Sequence, residues 1–194
     1  MALTQVAAVD PLIERLRDAV RLRDVGAIAQ QIKRDLEDFI PAEGLRLPDR
    51  FRQQKEGGYA RRLLYRDAEL GFTAIVMTWG PGQRTALHDH AGLWCVEGVI
   101  EGDLEVTRYE MLEELPDGTC RFARRGSERA AAGSAGALIP PFEHHVLANN
   151  TADRVALTLH VYGGEMNHCT IFEPVDGDPG DRYRPLSRIL SYDE

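Results

Sequence analysis

The sequence predicts a mainly β chain, a barrel with N-terminal α-helices packed outside it, and three observations carry that expectation. From about residue 59 onward, short runs rich in β-branched and aromatic residues alternate with Gly, Pro and Asp turn signals. Before Pro41, apolar residues recur at helical rather than strand spacing. The third observation is the stretch at residues 88–98, HDHAGLWCVEG, which sets two histidines one residue apart in an apolar, strand-like run. Successive side chains of a strand alternate faces, so His88 and His90 point to one place, as a metal site inside a barrel requires. Asp89 points away.

From the start of the chain, Asp10-Pro11 supplies an N-cap and a first-turn residue, and Leu12, Ile13, Leu16 and Val20 follow at helical spacing to about Arg23. Asp24 is placed to cap a second helix. Its stripe of Ile28, Ile32, Leu36 and Phe39 is core packing, with Lys33, Arg34, Glu37 and Asp38 on the wet face. Pro41, Gly44 and Pro48 break the pattern, and residues 49–58 are expected to form a short helix or loop. The sheet is expected to open with YARRLLYRD from Tyr59 and to continue with FTAIVMTW from Phe72. After the turn Gly80-Pro81-Gly82 come the histidine strand and a strand over 103–110, where Leu104, Val106 and Arg108 alternate with Glu105, Thr107 and Tyr109. Pro116-Asp117-Gly118 makes the next turn, and residues 124–136, with three arginines and three consecutive alanines, read as a mobile connection. Further strands are expected near 137–139, 146–149, 155–162 and 169–172, followed by a Pro-, Gly- and charge-rich tail wrapped on the outside. The expected organisation is one domain, with a helical segment 1–58, a barrel 59–175 and a tail 176–194.

The 194 residues, 43% hydrophobic and 28% charged, bound the chain to one ordinary globular domain. A net charge of -8 argues against a broad basic surface for nucleic acid or anionic membrane, but leaves room for a local basic pocket. No apolar run approaches the roughly 20 residues of a membrane span and no charged-then-apolar leader is read, so a cytoplasmic location is expected. The three cysteines, Cys95, Cys120 and Cys169, are irregularly spaced and expected as reduced thiols. A monomer or small homo-oligomer is expected.

Counting outward from the histidine pair gives Gly82, five residues, His88, one residue, His90, four residues, Cys95, six residues and Gly102. This spacing resembles the first motif of the cupin family, in which a glutamate ligand stands where this chain has Cys95. Glu97 sits two residues too late to replace it. The second cupin motif is resembled by Pro140, His145 and Asn149, a count that fails when started from His144. The resemblance implies a double-stranded β-helix, or jelly-roll barrel, with His88, His90 and His145 around a metal inside.

Past His145 the chain reads ALTLHVYGG, in which Thr158, His160 and Tyr162 alternate onto one face of a strand. Together with Cys95, these residues resemble the cysteine dioxygenase type I family of thiol dioxygenases, over about residues 59–172. That resemblance implies Fe(II) on His88, His90 and His145, with His160 and Tyr162 behind it. It also implies a thioether cross-link between Cys95 and Tyr162, as one branch carries, and a small thiol and O2 as reactants. The family's Arg-x-Leu-apolar stretch resembles Arg61-Arg62-Leu63-Leu64, which makes Arg61 the candidate to grip a substrate carboxylate with a planar, permanently charged guanidinium. Arg62, on the opposite face of the strand, stays open as the alternative, and could serve a second carboxylate. An arginine here resembles the cysteine-using branch, so L-cysteine is the first expectation, with 3-mercaptopropionate and mercaptosuccinate as alternatives.

The residue types suit that chemistry. Imidazole binds iron, zinc, copper or nickel, so the histidines alone name no metal. Zinc on three histidines would suggest hydrolysis or hydration through an activated water, and the Cys95 and Tyr162 pair favours iron. Metal coordination lowers a thiol's pKa, and adding both oxygen atoms to sulfur stops at the sulfinic acid. Tyr162 can donate its hydroxyl to oxygen or substrate, His160 can hold that hydroxyl, and Thr158 extends the line as a substrate-side residue. The non-catalytic alternative, a cupin that only binds a metal or small ligand, does not require Arg61, Cys95, His160 and Tyr162 together.

Overall fold

The computed structural model describes residues 9–43, 45–177 and 180–194. The two apolar stripes near the N-terminus become helices α1 (Asp10–Val20) and α2 (Val25–Glu43), with Leu12, Leu16, Ile32 and Leu36 fully buried. Asp24 caps α2 by accepting the Ala27 N–H at 2.8 Å. At α1 the expected cap moves by one residue. Val9 takes the N-cap position without a side-chain bond, and Asp10 enters the first turn, where its charge faces the positive end of the helix dipole. Pro41 stays inside α2 rather than ending it. Gly44, the other expected breaker, lies outside the described residues, as do residues 1–8, where no leader was read. A short 3-10 helix, Asp49–Arg52, leads to the sheets.

The strands among the described residues are β1 (Ala60–Asp67), β2 (Phe72–Trp79), β3 (Leu87–His88), β4 (Cys95–Glu101), β5 (Asp103–Glu114) and β6 (Cys120–Ala131). They continue with β7 (Ala135–Leu138), β8 (His145–Ala148), β9 (Ala156–Tyr162), β10 (His168–Pro174) and β11 (Arg182–Ile189). They build two sheets. One has the order β1-β2-β9-β4-β7. The other, β10-β11-β6-β5-β8-β3, closes on itself because β3 pairs with both β10 and β8. The chain is a mainly β jelly-roll with its helices outside.

Alternation along the strands decides what each sheet covers. Phe72, Ala74 and Val76 of β2, Val96 of β4, and Leu157, Leu159 and Val161 of β9 face outward and join the helix stripes in one core. Ile75, Met77, Trp79, Cys95 and Tyr162 face inward and meet Leu104, Leu147 and Cys169 from the second sheet. With both faces covered, β2 is buried along its whole length, which is why FTAIVMTW reads as a continuous apolar run. Gly98 of β4 lies beneath α2, where a Cβ would stand 3.1 Å from methyl groups of Leu36 and Ile40.

Two expectations are corrected. Most of residues 124–136 is not a mobile connection: β6 pairs with β5 from Asp103↔Ala131 to Glu114↔Cys120, with register shifts at Arg108/Tyr109 and Met111/Glu113. Its polar composition belongs to an exposed hairpin whose charges pair across strands, Arg108 with Glu128, Arg125 with Glu110 and Arg129 with Asp103. Much of the tail is also sheet, since β11 pairs with the whole of β10 and touches β6. Beyond it the last residues reach β1, where the Asp193 N–H donates to Arg61 O at 2.7 Å. No helix among the described residues is long and apolar enough to cross a membrane.

Candidate metal centre

Adjacent strands of the closed sheet bring the first histidines together. His88 on β3 and His145 on β8 are Cα partners, and their ring centroids lie 4.6 Å apart. His90 follows β3 at a tight turn through Ala91 (φ 52°) and Gly92 (φ 79°), with its ring 5.3 Å from His88 and 5.1 Å from His145. Asp89 points away, as alternation requires, and accepts the N–H groups of Ala91 at 3.1 Å and Thr170 at 2.8 Å, which fastens the turn to β10. One ligand atom from each of the three histidines lies within 4.8 Å of the others, so the set could hold a metal ion. His144 faces the opposite side of its segment and packs edge-on against Phe122 and Phe172.

Hydrogen bonds decide which ring nitrogens are free. His88 Nδ1 lies 3.1 Å from Ala86 O and His145 Nδ1 lies 2.7 Å from Glu143 O. A carbonyl oxygen only accepts, so in each ring Nδ1 carries a proton, and in the neutral ring Nε2 presents its lone pair. His90 is fully buried, yet neither ring nitrogen has a hydrogen-bond partner, and His145 Nε2 has none either. Buried polar atoms ordinarily find partners, so orphaned nitrogens converging on one point fit a metal ion. Burial, then the neighbouring His145, pushes His88 down to about 3, and the same causes hold His90 well below the usual range. Both rings are therefore neutral, as ligands must be. Burial also lowers His145, but the Glu97 carboxylate outweighs it and raises the ring's pKa.

The open sheet supplies the other wall. Cys95 and Glu97 on β4 are the Cα partners of Tyr162 and His160 on β9. Cys95 and Tyr162 thus sit side by side on neighbouring strands rather than meeting across the barrel. Burial pushes both well above their ordinary values, and nearby Glu97 adds to each shift. The Tyr162 hydroxyl stands 3.5 Å from His160 Nδ1. Thr158 Oγ1 lies 2.7 Å from His160 Nε2 and accepts the Trp79 Nε1–H at 2.9 Å. Thr158 is therefore behind His160 and outside the lining of the cavity beside the histidines, not on the substrate side.

Sequence reasoning set Glu97 aside because the motif places its glutamate at position 95. In the structure Glu97 Oε1 lies 3.0 Å from His160 Nδ1 and 3.3 Å from His145 Nε2. Burial works against its charge, but His145 and His160 together hold the carboxyl well below the usual carboxylate range. The signal was present, since Glu97 is two residues from Cys95 and so shares its face.

The two arginines separate as opposite faces of β1. Arg61 is the Cα partner of inward-facing Met77 and lines one cavity with His88, Glu97, His160 and Tyr162. Its guanidinium donates to Met166 O at 2.9 Å and Ser191 O at 3.1 Å. Arg62 is the partner of outward-facing Val76 and donates to Thr78 Oγ1 at 3.3 Å and Glu194 O at 3.1 Å. The strand's alternation carries Arg62 away from the cavity, which corrects its place among the substrate-side residues. A different second arginine takes that place. Arg188 of β11, read only as tail, is exposed and lines the same cavity as Arg61.

A jelly-roll barrel with a three-histidine set, two of them buried and His88 half-buried, defines a cupin-type protein able to hold a metal ion. The family model described as cysteine dioxygenase type I matches residues 8–174, and the chain belongs to that family. It is 26% identical over 107 residues to cysteine dioxygenase type 1 of Rattus norvegicus, and the same holds for that of Homo sapiens. Each match covers 55% of this chain and 52% of the relative, so the chain spans about half the length of the curated relatives it matches. Among solved structures it is similar to an uncharacterized conserved protein with a double-stranded beta-helix domain from Klebsiella pneumoniae. The identity is 17% and the TM-score 0.46, over 65% of this chain and 94% of that one.

Proposed function

We propose that this chain is a thiol dioxygenase that adds both atoms of O2 to the sulfur of a small carboxylate-bearing thiol, at Fe(II) held by His88, His90 and His145. L-Cysteine, giving cysteine sulfinic acid, is the first choice of substrate. The observation that carries the reading is one cavity lined by His88, Tyr162 and Arg61, with Cys95 directly beside Tyr162. Membership of the cysteine dioxygenase type I family supports it. Iron(II), when bound, supplies the electron exchange with O2 that closed-shell side chains lack. The reaction balances without an external reductant, since RSH and O2 together make RSO2H.

The side chains have distinct tasks in this reading. Arg61 takes the carboxylate, and its two bonds to the Met166 and Ser191 carbonyls hold the guanidinium in place beforehand, which lowers the cost of ordering it. Tyr162, kept protonated by burial, offers its hydroxyl to the reacting groups. Met77, Leu147 and Met166 wall the cavity with apolar surface and limit water. Cys95 is placed to form the thioether with Tyr162. The three free cysteines favour a reducing compartment, hence the cytoplasm. Every group named comes from one chain, so a monomer or small homo-oligomer suffices.

A second reading, a dicarboxylic thiol of the mercaptosuccinate type, is favoured by Arg188, which lines the same cavity and forms no ion pair among the described residues. Oxygen uptake by the Fe(II)-loaded protein, with L-cysteine, 3-mercaptopropionate, mercaptosuccinate and cysteamine, tests both. One O2 consumed per sulfinate formed, fastest with cysteine, is the expected result. Mercaptosuccinate as the fastest substrate selects the second reading. No uptake with any thiol refutes the dioxygenase reading, and cysteamine as the best substrate refutes carboxylate recognition.

A further inference from the structure

Glu97 is a carboxylate only 12% exposed, for which the chemistry above has no use; it accepts the Cys95 S–H at 4.0 Å, and its two histidine contacts are of different kinds. On one side stands a chain of donors. The indole N–H of Trp79 can only donate, and Thr158 Oγ1 receives it at 2.9 Å. The threonine hydroxyl donates its O–H to His160 Nε2 at 2.7 Å, which leaves the His160 proton on Nδ1, 3.0 Å from Glu97 Oε1. The chain from Trp79 through Thr158 and His160 thus ends on the carboxylate and aims it.

On the other side a neutral His145 ring offers no donor. His145 commits its N–H to Glu143 O, so its Nε2 lone pair faces the Glu97 oxygen at 3.3 Å. Two electron-pair donors that close, out of water, repel unless a cation stands between them. A nitrogen and an oxygen bound to one ion at ~2.1 Å stand about 3 to 3.4 Å apart at ordinary coordination angles, and the observed separation falls in that range. Glu97 also belongs to a second cluster with His90 and Cys95 whose ligand atoms lie within 4.8 Å of one another, and His90 is the histidine with no partner at all. A proton shared between His145 and Glu97 would leave His90 unsatisfied, whereas a metal ion answers all three.

We propose that Glu97 is a fourth protein ligand of the metal, beside His88, His90 and His145, aimed by the Trp79–Thr158–His160 chain. This rests on the reading that the histidines hold a divalent ion. It restores, from two residues further along the same face of β4, the carboxylate missing at position 95. A carboxylate turns three neutral donors into an anionic set and tightens its hold on the ion. It also leaves two positions of an octahedral ion rather than three.

Cobalt(II) is the probe, because its visible bands report the ligand set without turnover. Wild type, Glu97→Gln, Glu97→Asp and His145→Ala are titrated with Co(II) against a competing chelator, with folding followed by circular dichroism. Glu97→Gln, which keeps the size of the side chain, is expected to bind Co(II) at least ~10-fold more weakly, the loss typical of altered ligand surroundings, and to shift the bands. Glu97→Asp should fall between it and wild type. Binding within about threefold of wild type and unchanged bands in Glu97→Gln overturn the proposal, leaving Glu97 as a positioning acceptor for His160. Wild type that takes up no Co(II) overturns it at the level of the histidines. Should Glu97→Gln not fold, infrared difference spectra of wild type with and without Co(II) decide: a shifted buried-carboxylate band supports ligation and an unshifted one refutes it. Failure of the thiol panel leaves these outcomes standing, and unchanged Co(II) binding leaves thiol turnover standing, so the two readings fail separately.

Discussion

Replacing each of two adjacent histidines in turn separates metal binding from packing. His145 Nε2 is orphaned and faces His88 and His90, whereas the His144 ring lies 5.1 Å from Phe122 and 5.5 Å from Phe172 in a satellite core. For wild type at free Fe(II) 1,000-fold above Kd, binding adds about 4.1 kcal/mol to folding stability. At about 2–4 °C per kcal/mol for a chain of this size, the melting temperature should rise by about 8–16 °C over chelator-stripped protein. His145→Ala removes one ligand, and a loss of about 100-fold in affinity leaves only about 1.4 kcal/mol, or roughly 3–6 °C. His144→Ala should do the reverse. Truncating a ring packed between two aromatics costs about 2–3 kcal/mol, so its metal-free melting point falls while the metal-induced rise persists. Anaerobic thermal melts with and without Fe(II), with iron counted per chain, make the measurement. A full metal-induced rise in His145→Ala, or its disappearance in His144→Ala, refutes the ligand assignment.

Aerobic turnover is expected to join Cys95 Sγ to the Tyr162 ring, with the S–H and one ring C–H hydrogen passing to O2. Peptide mass analysis should then find the two segments linked with two hydrogens missing, and their absence after prolonged turnover would leave Cys95 as cavity wall alone. Arg61→Ala should lower kcat/KM for carboxylate thiols at least about tenfold, since such charge-assisted contacts are worth about 2–5 kcal/mol, and change cysteamine little. The same variant leaves the Met166 carbonyl without its donor, so a stability loss of about 1–3 kcal/mol should accompany it in urea unfolding. Gly102→Ala forces a side chain onto a backbone at φ 75°, with its Cβ 2.9 Å from Val155 O, and should lower the melting temperature by at least about 2–4 °C.

The fold was legible wherever periodicity and burial agree. The α2 stripe and the run at residues 72–79 carry their pattern because one packs a single face on the sheet and the other is covered on both. The stretch at 124–136 defeated the same reasoning because β6 is exposed over most of that length, and an exposed strand held by cross-strand charge pairs has no apolar alternation to read. The tail failed for a related reason. Proline, glycine and charge mask β11, whose pairing with β10 runs from Pro174↔Tyr183 to His168↔Ile189.

The site was legible along strands and illegible across them. Alternation alone puts His88 with His90, Cys95 with Glu97, and Thr158, His160 and Tyr162 on shared faces. What it cannot supply is the neighbour. The structure inserts β9 between β2 and β4, and that non-local pairing sets Glu97 opposite His160 and Cys95 opposite Tyr162. The expected partner of His160, the Tyr162 hydroxyl, is left at 3.5 Å while the Glu97 carboxylate stands at 3.0 Å, so the ring's single Nδ1 proton goes to the stronger, charged acceptor. Tyr162 lines the cavity beside Arg61, and the His160 ring faces Glu97. Arg188 follows the same logic, since only the return of β11 beside β10 brings a guanidinium from the end of the chain to the cavity that Arg61 enters from β1.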